Sequence, residues 1–195
     1  MKYSVVIPAR NEEGSIAGTM DSIAAALERE QIPYELVVVN DGSTDGTADV
    51  LARAQQHNSN LRIVTNTGAN GFGRAVRLGL ESATGGYLAV MMADASDSPE
   101  DLVAYYRVLE SGYDCAFGSR FMRGGRVIDY PAHKLLLNRM ASWFIRTIFG
   151  LPFSDVTNAF KAYRREAVEL MQPLIAPHFY LTVEMPLKAI VRGCS

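Results

Sequence analysis

Residues 34–50, "YELVVVNDGSTDGTADV", decide the fold. Leu36, Val37, Val38 and Val39 are apolar with no polar residue between them, so the strand they form is expected to be buried on both faces. It stops at Asn40-Asp41-Gly42, where Gly permits a positive φ and Asp, Ser and Thr can cap the helix expected from Thr47 to about His57. A doubly buried strand, a short polar turn and a helix make the unit from which parallel sheets are built.

The same unit recurs on either side. Strands are expected at Tyr3–Pro8, Leu61–Thr65, Tyr87–Met92 and Asp114–Gly118, and helices at Ser15–Glu30, Gly73–Ala83 and Pro99–Ser111. Short connections between alternating strands and helices point to an α/β fold whose parallel sheet is covered by helices. Beyond Gly118 the pattern changes to a Gly- and Arg-rich loop over 119–130. A long helix over Ala132–Phe149 follows, stopped by Gly150 and Pro152.

With 195 residues, 48% hydrophobic and 21% charged, the chain is expected to be one globular domain. A net charge of −2 gives no global attraction to nucleic acid. Two distant cysteines, Cys115 and Cys194, suggest neither a disulfide framework nor a zinc site, and three scattered histidines suggest no triad. No signal peptide is visible, and no uncharged apolar run reaches the ~18 residues of a spanning helix. The chain reads as soluble or peripheral.

In an open parallel sheet, ligands bind beyond the carboxyl ends of the strands. Those ends carry Pro8-Ala9-Arg10-Asn11-Glu12, Asn40-Asp41, Asp94-Ala95-Ser96-Asp97 and Gly118-Ser119-Arg120. Asp45 or Thr47 suffices to cap the second helix, which leaves Asp41 for a ligand. In "VMMADASDSPEDL", residues 90–102, one of Ser96, Asp97 and Ser98 caps the helix that Pro99 begins, and Glu100 and Asp101 complement its dipole. Asp94 is left over. A lone buried carboxylate is costly unless paired or metal-bound, so Asp94 is expected to serve Mg²⁺ or Mn²⁺ on a phosphate substrate.

"GANGFGRAVRLGL", residues 68–80, does not match the dinucleotide fingerprint, since Val76 stands where the third glycine would be. It reads as a glycine-eased helix start beside the site, near a phosphate. Residues 119–146 carry Arg120, Arg123, Arg126, Lys134, Arg139 and Arg146 against one acid, Asp129, which suits an anionic substrate or anionic lipid headgroups. On the long helix, Lys134, Asn138, Ser142 and Arg146 form a narrow polar stripe. The remaining arc holds Leu135, Leu136, Leu137, Met140, Trp143, Phe144, Ile148 and Phe149, fit either for a core or for a membrane interface.

Six segments together, "VVIPARNEEGSI", "ELVVVNDGSTDGT", "GFGRAVRLGL", "VMMADASDSPEDL", "GSRFMRGG" and "DVTNAFKAYRRE", resemble family 2 glycosyltransferases of the GT-A fold, in family order over residues 4–166. The likeness is to polyprenyl-phosphate sugar transferases of the dolichol-phosphate mannose synthase type. It implies a Rossmann-like, mostly parallel sheet, with a nucleotide-sugar half over about 1–118 and an acceptor half over about 119–195.

By matching positions, the resemblance implies that Pro8, Arg10, Glu12 and Asp41 hold base and ribose, with Asn11, Ala93 and Lys134 completing the donor-binding set. Asp94 and Ser96 would serve a divalent metal, Mg²⁺ or Mn²⁺. Arg120 and Lys134 would contact phosphates, and Asp155 would face the sugar or acceptor; Asp94, Arg120 and Asp155 form the catalytic set. The implied reaction is inverting transfer of a sugar, of the GDP-mannose or UDP-glucose type, to a polyprenyl phosphate. It would occur at the cytoplasmic face of a membrane touched through 134–149, in cell-envelope glycan synthesis. A saccharide hydroxyl acceptor, with Asp155 or Asp97 as base, and a non-catalytic nucleotide-sugar-binding module are the alternatives.

Three departures stand out. The family's Asp-x-Asp, often followed by x-Gln, reads Met92-Ala93-Asp94-Ala95-Ser96, and a thioether binds hard cations poorly. Asn40 replaces a frequent Asp, and Lys134 a frequent Arg. The chain also stops before the family's last strand and basic loop, and without the membrane segments of many members, so it is expected to be a catalytic-domain fragment.

Overall fold

A computed structural model describes residues 1–119, 132–150 and 155–195. Its elements run β1 Tyr3–Ala9, α1 Ile16–Arg29, β2 Tyr34–Asn40, α2 Thr47–Gln55, β3 Leu61–Thr65, α3 Phe72–Ser82, β4 Tyr87–Val90, α4 Pro99–Glu110 and β5 Cys115–Phe117. Then come α5 Ala132–Phe149, β6 Lys161–Arg164, α6 Arg165–Leu170 and α7 Leu181–Val191. The expected elements all form, with ends shifted by a few residues. The expected strand to Met92 stops at Val90 because the chain leaves the ladder to build a turn.

The six strands are ordered β3-β2-β1-β4-β6-β5. β1 lies parallel to both β2 and β4, and β2 parallel to β3. The chain order therefore reverses beside β1, and the crevice at such a switch point is the ligand site of open α/β sheets. β6 was not expected. It runs antiparallel between β4 and β5, pairing Val90 with Lys161 and Phe117 with Lys161. Its sequence, Lys-Ala-Tyr-Arg, has no apolar run to betray it.

Two cores explain the strands without alternation. Val5, Ile7, Leu36, Val38 and Ala89 pack on the face covered by α1 and α4, with Ile16, Ile23, Leu27, Leu102 and Leu109. Their neighbours Val6, Val37, Leu88 and Val90 pack on the opposite face with Val76, Leu80, Leu181 and Met185 of α3 and α7. Burial of each such side chain contributes about 1.5–3 kcal/mol, so a polar residue at either parity is disfavoured.

Candidate active site

Pro8 lies near the end of β1, Arg10, Asn11 and Glu12 follow that strand, Asp41 follows β2, and Ala93, Asp94 and Ser96 follow β4, so all gather at the carboxyl edge of these three strands. Asp155 precedes β6, which begins at the Val90 end of β4, and it is buried at the same edge. Arg120 and the side chain of Lys134 lie outside the described residues, as do Arg123, Arg126 and Asp129.

The first two loops are clasped together. Asn11, at φ 59°, donates its N–H to Ser43 Oγ (3.1 Å), and its Oδ1 accepts the Thr44 N–H (2.8 Å). Glu12 N–H reaches Thr47 Oγ1 (2.8 Å), Glu13 N–H reaches Asp45 Oδ2 (3.2 Å), and Gly46 N–H returns to Glu13 Oε2 (2.6 Å). The Thr47 hydroxyl donates to Asp45 (2.5 Å); this bond, with the Thr47 and Glu13 N–H groups, holds the Asp45 carboxyl below its usual range against a smaller opposing effect of desolvation. Asn11 is thus spent on the neighbouring loop, whereas Arg10 stands exposed.

Asp41 is buried, with Oδ1 accepting from Asn66 Nδ2 (2.6 Å) and Oδ2 from the Gly71 N–H (2.8 Å). It ties β2 to the start of α3. That start is closed by the segment 176–178. A Cβ on Gly71 would come 2.4 Å from Pro177 O, and one on Gly73 2.2 Å from Ala176 O. Arg74 N–H donates to Pro177 O (3.3 Å). The two glycines therefore admit another stretch of backbone at this helix start. Glu184 holds that stretch, accepting from the Ile175 (2.9 Å) and Ala176 (2.8 Å) N–H groups.

After β4 the side chains alternate: Met91 and Ala93 are buried, Met92 is half-buried and Asp94 exposed. The expectation that Asp94 is a buried carboxylate is wrong. The chain has left the ladder, and Ala95 at φ 58° turns it outward. Asp94 Oδ1 accepts the Ser96 N–H (3.1 Å), and Asp97 Oδ2 accepts the Met92 N–H (2.8 Å), closing the turn. Thr19 Oγ1 anchors Ala93 O at 2.9 Å. Ser98 is the helix cap, its Oγ accepting from Asp101 N–H at 3.3 Å.

Two residues escaped the sequence reading. Tyr105 of α4 packs against Phe160 with the rings tilted by 44° (4.6 Å between ring centres). Burial raises its hydroxyl pKa, as do the charges of Asp101, Asp97 and Asp155, against the Gly118 N–H that donates to it. Lys161 is buried, and its ammonium donates to Val156 O (3.1 Å), Thr182 O (3.1 Å) and Asn158 O. An internal Lys inside a four-residue strand carries no sequence signal that separates it from a surface Lys.

A divalent cation would find few ligands here. Among the described residues, no three His, Cys, Asp or Glu are arranged to hold a metal ion. Asp94 offers a carboxylate and exposed Ser96 a neutral hydroxyl, while Met92 presents sulfur. Such a set does not fit a cation held by protein alone.

Residues 4–171 match the family described as glycosyl transferase family 2. The chain belongs to that family.

This glycosyltransferase is 31% identical to the polyprenol monophosphomannose synthase of Mycolicibacterium smegmatis, over 98% of the chain and 73% of that protein. It is 32% identical to the dolichol-phosphate mannosyltransferase of Pyrococcus furiosus, over 99% of the chain but only 58% of that protein. A crystal structure of M. tuberculosis glucosyl-3-phosphoglycerate synthase superposes with a TM-score of 0.74 at 23% identity, covering 98% of this chain and 67% of that one. Another structure of that synthase, containing Mn²⁺, uridine diphosphate and phosphoglyceric acid, gives 0.71 at 26% identity, covering 98% and 65%. The GT-A fold of this glycosyltransferase is thereby shown.

Proposed function

We propose that this glycosyltransferase moves a sugar, of the GDP-mannose or UDP-glucose type, from its nucleotide to a polyprenyl phosphate at the cytoplasmic face of a membrane. The observation that carries this is the identity to two relatives whose names pair mannose with a polyprenol or dolichol phosphate, over nearly the whole chain. The site supports it chemically. A phosphate acceptor arrives ionised, since its second pKa is about 6. It needs no strong general base, and Asp97, one candidate for that duty, already accepts the Met92 N–H. Neither cysteine is a poised nucleophile; burial pushes the Cys115 thiol up to about 12.

The reaction is then one displacement. An acceptor phosphate oxygen bonds to the anomeric carbon as the bond from that carbon to the diphosphate breaks, with inversion. Arg10, Glu12 and Asp41 hold base and ribose, Arg120 and Lys134 the phosphates, and Asp155 faces the sugar. Asp94 would be the residue facing a divalent cation, which would supply charge neutralisation for the departing diphosphate. The exposed apolar arc of α5 rests on the lipid surface.

Incubation with GDP-mannose or UDP-glucose, and polyprenyl phosphate in detergent micelles, is expected to release nucleoside diphosphate and form an alkali-stable, acid-labile glycolipid. Transfer to free saccharide with none to the lipid phosphate overturns the acceptor assignment; nucleotide binding without transfer to either leaves a binding module.

A further inference from the structure

We infer that Lys161 is a positioning residue for the transfer: its buried ammonium, working with the proline inside α7, fixes the turn that follows Asp155. The inference rests on the proposed reading in which Asp155 faces the sugar. An ammonium has three N–H donors and is costly to bury unless they are met. Lys161 Nζ meets three carbonyls, Val156 O (3.1 Å), Asn158 O and Thr182 O (3.1 Å), with the Phe117 ring centre 6.0 Å away. Two of these carbonyls belong to the turn directly after Asp155, and the third to the first turn of α7.

The third carbonyl is available for a chemical reason. In an α-helix, Thr182 O would accept the N–H four residues on. That residue is Pro186, inside α7, and proline has no N–H. A proline in a helix interior is ordinarily disfavoured; here it leaves an acceptor at the point that Lys161 reaches. The turn at 156–158 belongs to neither helix nor strand, and its carbonyls are gathered by the same cation. Lys161 itself is held in the sheet from both sides, opposite Val90 of β4 and Phe117 of β5. The turn is thus referred to a doubly paired strand and to α7 at once, and Asp155, buried and adjacent to Val156, inherits that placement. A group that must meet one face of a sugar loses rate when it is displaced by about an ångström. The proposed base and ribose contacts lie on the loops after β1 and β2 and do not depend on this turn.

Steady-state transfer from GDP-mannose or UDP-glucose to polyprenyl phosphate by the full chain, with GDP and UDP affinity measured by calorimetry, tests this. Lys161→Met keeps the length of the side chain and removes its donors. It is expected to lower kcat on the order of tenfold to a hundredfold, to lower the melting temperature, and to leave nucleoside diphosphate affinity unchanged. Asp155→Asn is expected to lower kcat as well. Adding Lys161→Met to it should cost little more, since a residue that acts through Asp155 then has nothing left to position. Pro186→Ala is the second variant if Lys161→Met does not fold, judged by circular dichroism. It returns to α7 an N–H that competes for Thr182 O, so kcat should fall several-fold. Its melting temperature should not fall, because alanine suits a helix interior.

A folded Lys161→Met or Pro186→Ala with wild-type kcat overturns the inference. So does a Lys161→Met loss that multiplies in full with that of Asp155→Asn, the mark of a lysine that only stabilises the fold. Wild-type kcat in Asp155→Asn removes Asp155 from the reaction and overturns the inference while the proposed transfer stands. If the wild-type chain forms no glycolipid, the proposed function fails and takes the inference with it.

Discussion

Asp41 is a carboxylate whose structural duty and proposed nucleotide contact can be measured apart. Its oxygens receive Asn66 and the Gly71 N–H inside the fold, yet it sits at the crevice where the donor is proposed to bind. Leaving a buried N–H without its acceptor costs about 1–3 kcal/mol. Asp41→Ala is therefore expected to lower stability by that amount in urea unfolding with no nucleotide present, and to lose nucleotide affinity as well. Unchanged urea stability would mean that the latch to α3 carries no weight. The position of Asp41 was legible, because a buried strand must end somewhere and an acid at that end has few structural duties nearby. Its partners were not, since Asn66 and Gly71 lie on other elements and only packing brings them close. Asp94 shows the converse: its place after β4 was legible, but its exposure depends on the left-handed φ at Ala95, a residue that advertises no such turn.

Among the elements, α5 is built inside out. Ser142, from its polar stripe, is 1% exposed, whereas Trp143 is 67%, Phe144 59% and Ile148 58% exposed. The apolar arc read from sequence was ambiguous between core and membrane, since both demand the same residues; only the side it faces distinguishes them. No helix of the described residues is long and apolar enough to cross a membrane, and the proposed lipid contact uses this exposed arc as a helix lying in the interface. Trp143→Ser with Phe144→Ser is expected to weaken sedimentation with anionic vesicles several-fold, while the urea midpoint stays within error. A lower midpoint with unchanged vesicle binding would return the arc to a protein contact. β6 was illegible for a different reason. It is held by two flanking strands and a buried ammonium, long-range features that four residues cannot announce.

Across the whole molecule, the sheet has two poles with opposite characters. The carboxyl pole carries the clasped loops and the site. The amino pole, roughly 20 Å away by strand rise, is locked by Glu35, which is buried and accepts from Ser4 Oγ (2.6 Å), Thr84 N–H (2.6 Å), Thr84 Oγ1 (2.9 Å) and Lys2 Nζ (2.9 Å). Burial by itself would raise its pKa, but these four donors together outweigh it and bring the carboxyl from 4.5 down to about 2. A depressed carboxyl means that the unfolded chain binds more protons than the folded one between these values. The contribution of Glu35 is thus fully present above pH 4.5 and drains away as pH falls toward 2. Glu35→Gln replaces an acceptor with a group that faces donors by its own N–H₂, and is expected to cost about 1–3 kcal/mol at neutral pH. Because the poles are separate, nucleotide affinity of the folded variant should be that of wild type. The gap in stability between the two proteins, followed by urea unfolding, should narrow steadily below pH 4.5. A gap that keeps its neutral-pH size down to pH 2.5 would show that shape, and not the ionised carboxylate, is what the amino pole requires.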